Sequence, residues 1–196
     1  MSDPRILCIR HGESTFNAAY ANDGVDPMLF DAPLTERGHA QVEAARLQLR
    51  DTPVDVVLTT PLTRAMQTSL GIFGQHPSRP AIIVETLHRE RLESSCDQGR
   101  SPDLLMAEFP TLTLDHLPAT WWHAEGEPDG RGITVEPLEV MMARMEQFVT
   151  ALKTRQEATI ALVGHGTFFH HLTGRWLANC EVMEWHWDHP RVPAGD

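Results

Sequence analysis

Short apolar runs alternate along this chain with segments whose apolar residues recur every three or four positions. The runs have the length of buried β-strands, and they are Ile6–Ile9, Val54–Leu58, Ala81–Val84 and Thr159–Val163. The segments with helical spacing include Gly38, Val42, Ala45 and Leu49, and later Leu138, Met141, Met145, Phe148 and Leu152. This alternation predicts an α/β fold of three layers (α/β/α), in which helices cover both faces of a mostly parallel central sheet.

Two further helices are predicted from their ends and their apolar faces. Thr59-Thr60-Pro61 indicates a helix with a threonine cap and a proline at its first position. A later helix is predicted from four apolar positions behind the fourth run, namely Phe168, Phe169, Leu172 and Trp176.

The rest of the chain has weaker patterns. Residues 111–135 show little periodicity, and we expect a small cap or excursion around residues 90–135, over one end of the sheet. Val182–Trp187 is a candidate last strand, and Val192–Asp196 is expected to be a loose tail. A length of 196 residues favours one domain with a full core, spanning residues 1–196.

Polar side chains that could bind a ligand or take part in catalysis follow three of the predicted strands. Arg10-His11-Gly12 follows the first, Thr60 to Arg64 the second, and Gly164-His165-Gly166 the fourth. Because the carboxyl ends of parallel strands meet at one edge, two arginines and two histidines are expected to surround one point. Arginine binds phosphate oxygens in pairs, and a histidine nitrogen is a nucleophile near neutral pH. The sequence therefore predicts a phosphoryl site at this edge.

Composition restricts the partners. The net charge is −11, with 27 acidic and 16 basic residues, which disfavours nucleic acids and anionic membranes as ligands. No apolar run is long enough to span a bilayer, and residues 1–5 lack a signal-peptide pattern. Cys8, Cys96 and Cys180 show no CxxC spacing, which favours a reducing, cytoplasmic compartment. No residues have the spacing of a built metal site, despite eleven histidines.

Four motifs give the chain a resemblance to a known family. Arg10 to Asn17 reads RHGESTFN and resembles the signature of the histidine phosphatase superfamily, also called the phosphoglycerate-mutase-like family. Pro61–Thr68, Leu34–Gly38 and Gly164–Gly166 are similar to its other motifs and occur in the expected order. The resemblance extends from residue 5 to about residue 178.

The resemblance implies a role for each of several residues. His11 would be the nucleophile that becomes phosphohistidine, and its other ring nitrogen is then expected to donate to a backbone carbonyl. Arg10, Arg64 and His165 would hold the phosphate and stabilise the transition state, with contacts from Asn17 and the N–H of Gly166. Water would hydrolyse the phosphohistidine, so the resemblance implies no metal and no organic cofactor.

A leaving alkoxide also needs a proton from a carboxylic acid. The resemblance places this acid shortly after the third strand, where Arg89-Glu90 matches best. Glu90 is therefore the predicted general acid, Glu93 is the alternative, and Glu85 fits less well because it ends the strand.

Three functions stay open at this point. The favoured one is a phosphatase acting on a small phosphorylated metabolite, with sugar phosphates as one candidate class. The others are mutase-type phosphoryl transfer and a non-catalytic regulator that binds phosphate. Ser95–Arg100 departs from the mutase pattern, which favours the phosphatase. Trp121, Trp122 and Arg131 are candidates for the mouth of the site, although the tryptophans suit the core of the cap better. The sequence does not predict an oligomeric state.

Overall fold

The computed structural model describes residues 3–189 and 191–193 of the chain. In chain order its elements are β1 (Arg5–Arg10), α1 (Thr15–Asp23), α2 (Glu36–Leu49), β2 (Val56–Thr59), α3 (Thr63–Phe73), β3 (Ala81–Val84), a 3-10 turn (Ser95–Asp97), α4 (Pro102–Glu108), α5 (Leu138–Lys153), β4 (Thr159–Gly164), α6 (Gly166–Thr173) and β5 (Val182–Trp185). Within this part of the chain, no helix is both long enough and apolar enough to cross a membrane.

The strands form one sheet in the order β3-β2-β4-β1-β5. The first four strands in this order run parallel, and β5 is antiparallel to β1. In the register, Arg10 of β1 pairs with Gly164 of β4, and Thr59 of β2 pairs with Val163. The carboxyl ends of β1, β2 and β4 therefore lie side by side at one edge. The predicted α/β fold with a mostly parallel sheet is confirmed.

Alternating strand residues bury the two faces of the sheet against different helices. Ile6 and Cys8 of β1 pack with the apolar faces of α5 and α6. Leu7 and Ile9 face the other way and pack with residues of α2 and α3. The predicted core residues of α2 and α5 are buried, except Leu138, which is partly buried. The central strands are covered on both sides, as their continuous apolar runs require.

Three local predictions are wrong. Helix α3 begins at Thr63 after Leu62 and has no side-chain cap, because Thr60 makes a hydrogen bond elsewhere. Trp176 is 62% exposed, because α6 ends at Gly174, which has a left-handed conformation. Val192 is anchored, since its N–H donates to the carbonyl of His171. Residues 194–196 of the predicted tail lie outside the described residues.

The segment between β3 and α5, residues 85–137, forms the predicted excursion and contains a 3-10 turn and α4. Its apolar side chains pack on α3 in a separate cluster that includes Leu105, Leu114 and Trp121. Trp121 is 4% exposed, and its indole N–H donates to the carbonyl of Arg100. This tryptophan therefore belongs to the core of the excursion segment, as its sequence context favours.

Candidate active site

The strand edge brings together the four residues singled out from the sequence motifs. Arg10 and His11 follow from β1, and His165 follows from β4. The rings of His11 and His165 lie 5.3 Å apart between centroids. Arg64 comes from the first turn of α3, and its Nε donates to Nε2 of His11 over 3.2 Å. The sheet and one helix therefore assemble this cluster from three distant parts of the chain.

The environment of His11 defines its protonation. Its Nδ1 donates to the carbonyl oxygen of Gly12 at 2.7 Å, which agrees with the expected backbone contact. Burial, together with the positive charges of Arg64 and Arg10, holds the pKa of His11 well below its ordinary value. The ring is therefore neutral. Because Nδ1 carries the proton, Nε2 keeps its lone pair, which accepts the hydrogen bond from Nε of Arg64.

Gly12 allows this arrangement. A Cβ atom at this position would lie 2.8 Å from the carbonyl oxygen of Gly38 at the start of α2. The backbone N–H of Gly12 donates to Oγ1 of Thr68 in α3. The loop after β1 is thus packed directly against α2 and α3, which fixes the height of His11 above the sheet.

Arg64 is bound on its far side by a residue that the motifs do not identify. Its terminal nitrogens donate to the carbonyl of Cys96 at 2.6 Å and to Oδ1 of Asp97 at 2.8 Å. Asp97 is buried, and its Oδ2 accepts from the N–H of Ser94. These contacts orient the guanidinium plane beside His11. Ser95–Arg100 was noted only as a departure from a pattern, and the buried acid within it could not be distinguished from its neighbours.

Glu90 has the properties of a proton donor. Its carboxylate accepts from the N–H groups of Thr167 and Phe168 in the first turn of α6, at 2.9 and 3.0 Å. Glu90 keeps a small exposure through the cavity, but its carboxylate lies among buried groups. This burial and the negative charge of Asp97 raise the pKa of Glu90 to about 7. Burial also raises the pKa of Asp97, yet only Asp97 has a direct guanidinium contact, so the proton shared by the pair resides on Glu90.

The two alternative acids have other environments. Glu93 also lines the cavity, but its side chain is 41% exposed and forms an ion pair with Arg91 at 2.8 Å. Glu85 is absent from the described lining, and its carboxylate accepts from the N–H groups of Leu87 and His88. The environment of a protonated carboxyl group is thus found at Glu90.

His165 and Arg10 each contain a buried polar atom without a partner, and of the two only Arg10 belongs to the described lining of the cavity. Oγ1 of Thr60 lies 2.7 Å from Nε2 of His165. One terminal nitrogen of Arg10 donates to the carbonyl of Leu177. Nδ1 of His165 and Nε of Arg10 are buried and make no hydrogen bond within the described residues. Such groups are costly without a partner, and an anion in the site would bond to both.

The cavity between these groups has a volume of about 120 Å³. Its lining consists of Arg10, His11, Phe16, Asn17, Arg64, Glu90, Glu93, Ser94, Cys96, Asp97 and Thr167. The side-chain oxygen of Asn17 accepts from the N–H of Ser14, which leaves the amide N–H₂ group for the cavity. Gly166 is outside this lining, but a Cβ on it would lie 3.6 Å from Nε of Arg10. Its role as an N–H donor stays a prediction.

A larger groove elsewhere carries no comparable chemistry. It has a volume of about 770 Å³ and is lined by residues of α3, β3 and the loop at Thr111, including Leu70, His76 and Arg79. None of the strand-end residues borders it. In the described part of the chain, no group of three or more His, Cys, Asp or Glu is arranged to hold a metal ion.

Buried ion pairs hold the loop that carries Glu90 in place. The carboxylate of Glu136 is fully buried and accepts from Arg89 at 2.9 Å and from Arg144 of α5 at 2.8 Å. Arg144 also donates to the carbonyls of Leu87, Arg89 and Glu90. One arginine therefore binds three carbonyl groups within four residues of the loop, and Glu136 holds that arginine in place.

Comparisons with known proteins agree with this arrangement. A family model described as the histidine phosphatase superfamily (branch 1) matches residues 6–192. Phosphoglycerate mutase-like protein 1 of Arabidopsis thaliana is 28% identical, over 89% of this chain and 72% of that protein. The adenosylcobalamin/alpha-ribazole phosphatase of Salmonella typhi is 26% identical, over 97% of this chain and 87% of that protein.

Solved structures show the same fold. Mycobacterial glucosyl-3-phosphoglycerate phosphatase, in its complex with VO3, aligns with a TM-score of 0.60 and 21% identity. The alignment covers 94% of this chain and 93% of that one. At this level of identity the likeness concerns the fold.

Proposed function

This chain belongs to the histidine phosphatase superfamily, branch 1, and on that basis we propose that it hydrolyses the phosphomonoester of a small metabolite through a phosphohistidine at His11. One observation carries the proposal. A neutral His11, whose Nε2 accepts from Nε of Arg64, lines a cavity that two guanidinium groups border, and buried atoms of Arg10 and His165 have no hydrogen-bond partner within the described residues. A phosphoryl group provides both the electrophile and the missing hydrogen-bond acceptor.

In the first step, Arg10, Arg64 and His165 bind the oxygens of the phosphoryl group, with Asn17 and the N–H of Gly166 as further donors. Nε2 of His11 attacks phosphorus in line with the ester oxygen, and the P–O bond to the alcohol breaks. Glu90 gives its proton to the departing oxygen. The arginines stabilise the negative charge on the equatorial oxygens, which is the main catalytic contribution in phosphoryl transfer.

In the second step, Glu90 is ionised and acts as the base. It takes a proton from a water molecule whose oxygen attacks the phosphohistidine, and the P–N bond breaks. Inorganic phosphate leaves, His11 is again neutral, and Glu90 again carries a proton. A pKa of about 7 for Glu90 suits both roles near neutral pH.

The activities named for related proteins support hydrolysis of small phosphorylated compounds. They include the adenosylcobalamin/alpha-ribazole phosphatase of Salmonella typhi and a fructose-2,6-bisphosphatase of Danio rerio. We further propose that residues 1–196 form a single domain and that the compartment is reducing and cytoplasmic. Three free cysteines, all buried, are consistent with such a compartment.

The decisive experiment measures hydrolysis of p-nitrophenyl phosphate with and without EDTA, by the native protein, by His11→Ala and by His39→Ala. His39 is an exposed histidine of α2 and serves as the matched control. We expect turnover that resists EDTA, is lost at least about a thousandfold in His11→Ala, and is unchanged in His39→Ala. Rapid quench with a ³²P-labelled substrate should give an acid-labile label on His11.

Other outcomes would contradict the proposal. Turnover that EDTA abolishes would indicate a metal enzyme. Tight phosphate binding without turnover would indicate a regulator. Transfer of label between phosphoglycerates without release of phosphate would indicate a mutase.

A further inference from the structure

The mouth of the cavity carries a carboxylate beyond the phosphoryl contacts. Among the lining residues, Glu93, Ser94 and Thr167 keep partial exposure and lie outside the set proposed to bind the phosphate. The carboxylate of Glu93 is close to Thr167, whose hydroxyl donates to it over 3.4 Å. An alcohol group leaving through this opening therefore passes one carboxylate and two hydroxyl groups.

In the ion pairs of the surrounding loops, five carboxylates are joined to three guanidinium groups, which leaves an excess of negative charge. Arg91 pairs with Glu93 itself at 2.8 Å. The other two arginines of these loops each form ion pairs with two acids. Arg131 pairs with Asp26 and Asp129, and Arg100 pairs with Asp31 and Glu108. The contacts of Arg131 extend further, since it also donates to the carbonyl of Glu93. These arginines are structural parts of the loops and are already bonded.

Lysine does not supply a cation here either. The single lysine of the chain, Lys153, ends α5 and borders a groove with Asp3 and Pro4. Pro4 precedes β1, so this groove lies at the opposite edge of the sheet from His11. Arg10 and Arg64 remain the cations of the site, and the transferred phosphoryl group engages both.

We propose that the mouth selects phosphomonoesters whose alcohol part is neutral or cationic, such as polyols and amino alcohols, and disfavours a second anionic group. This inference rests on the proposed function. A second carboxylate or phosphate would meet loops in which every one of these arginines, Arg91 included, is already paired and carboxylates are in excess, and this excess negative charge repels it. A hydroxyl group at the same place would meet Glu93, Ser94 and Thr167 as hydrogen-bonding partners, and an ammonium group would gain attraction to Glu93.

Two esters of almost equal shape test the proposal. Glycerol 3-phosphate and 3-phosphoglycerate differ only in a terminal CH₂OH in place of a carboxylate. We expect kcat/KM for glycerol 3-phosphate to exceed that for 3-phosphoglycerate by at least about tenfold. Phosphoethanolamine should be accepted at least as well as glycerol 3-phosphate. Calorimetric titration of the same esters into His11→Ala should rank their affinities in the same order.

A charge variant and a matched control locate the effect. Glu93→Gln should bring the two kcat/KM values closer together, mainly through better use of 3-phosphoglycerate, because Arg91 then lacks its acidic partner. Glu127→Gln removes one negative charge from an exposed position of the excursion segment and should leave the ratio unchanged. Equal use of the two esters, preference for 3-phosphoglycerate, or equal effects of the two variants would overturn the proposal.

The outcome for p-nitrophenyl phosphate separates this inference from the function on which it rests. If its hydrolysis depends on His11 but the charge preference is missing, the selectivity is wrong and the phosphatase stands. If p-nitrophenyl phosphate is not hydrolysed through His11, the proposed function is wrong. Binding of neither glycerol 3-phosphate nor phosphoethanolamine to His11→Ala, with hydrolysis intact in the native protein, also contradicts the selectivity.

Discussion

Two regions build the same site by different physical means. One is the strand-end cluster, formed by Arg10, His11, Arg64 and His165, and the other is the excursion segment, residues 85–137. His11 and His165 follow strands whose backbone is bonded into the sheet, and the register of β1, β2 and β4 aligns their ends. Glu90 lies in a loop with little regular structure, and ion pairs between side chains hold that loop. One half of the site therefore depends on main-chain hydrogen bonds, and the other depends on buried charges.

This difference has consequences for how each half fails. A sheet edge keeps its geometry when single side chains change, because the backbone ladder is intact. A loop held by one buried carboxylate between two arginines loses several contacts when that carboxylate is removed. We therefore expect mutations to affect the strand-end cluster mainly through chemistry, and the excursion segment through both chemistry and stability.

The strongest test asks whether the excursion segment contributes a proton. Glu90→Gln should reduce kcat/KM on an alkyl phosphate by roughly a hundredfold to ten-thousandfold. The loss of kcat/KM on p-nitrophenyl phosphate should be much smaller, because kcat/KM reports the transfer of the phosphoryl group to His11, in which p-nitrophenolate leaves without a proton. Steady-state kinetics on both esters provides the measurement, with Glu127→Gln at an exposed position as the matched control. Equal losses on the two esters would exclude Glu90 as the general acid.

The pH profile of the native protein tests the same role of Glu90, because it predicts the direction in which activity changes with pH. In the proposed first step the competent form of Glu90 is protonated, and its pKa is about 7, so kcat/KM for the alkyl ester should fall about tenfold per pH unit above this value. The nucleophile His11 has a pKa well below its ordinary value, and no rising limb from it is expected near neutral pH. In Glu90→Gln the alkaline fall should disappear.

The next effect concerns stability. Glu136→Gln should lower the free energy of unfolding by about 3 kcal/mol, because it leaves Arg89 and Arg144 without their buried acid. Glu146→Gln, on the exposed face of α5, should change it by less than about 0.5 kcal/mol. Urea denaturation of the three proteins measures both differences. Equal effects of the two substitutions would show that buried charge does not hold the excursion segment.

The direction in which acid changes this difference in the free energy of unfolding also follows from the structure. Burial acts to raise the pKa of Glu136, but the hydrogen bonds and charge of Arg144, with the charge of Arg89, outweigh it, and the pKa is lowered. The stabilisation is therefore present above the ordinary glutamate value of 4.5 and is lost as the pH falls through the lowered one. The gap between native protein and Glu136→Gln should narrow in acid.

The two regions also differ in how far the sequence reveals them. Apolar runs that end in Arg10-His11-Gly12 and Gly164-His165-Gly166 indicate the proposed nucleophile and its partners, because an apolar run followed by polar residues marks the end of a strand. The contact between Arg89 and Glu136 joins residues 47 positions apart and has no such signature. Asp97 was missed for the same reason. Its role depends on the reach of Arg64 across the fold, which no periodicity encodes.

Thr60 was assigned a role from the sequence, but the wrong one. It was predicted to cap α3, and it contacts His165 at a separation of 105 residues. The local rule for caps was applied correctly to Thr59-Thr60-Pro61, but a long-range hydrogen bond displaced it. Errors of this kind are expected where side chains serve a site, since function and local structure then compete for the same group.

The smallest predicted effect returns to the strand-end cluster and compares two adjacent threonines. Thr59 and Thr60 are both fully buried. Oγ1 of Thr60 lies 2.7 Å from Nε2 of His165, whereas Oγ1 of Thr59 makes no hydrogen bond within the described residues. If Thr60 donates, Nε2 of His165 is an acceptor and the ring proton lies on Nδ1, the buried atom proposed to bind the phosphoryl group. Thr60 is then a positioning residue that sets the tautomer of His165.

Thr60→Val removes this donor at nearly constant volume and should lower kcat about tenfold to a hundredfold, which corresponds to the 1–3 kcal/mol cost of a buried polar atom without a partner. Thr60→Ser should restore most of the rate, and Thr59→Val should leave it unchanged. Nitrogen-15 NMR of the histidine rings should show a change of tautomer at His165 in Thr60→Val alone. A rate loss without that change, or equal losses in the two valine variants, would mean that the threonine acts through packing. The strand-end cluster would then be positioned by its backbone without help from this side chain.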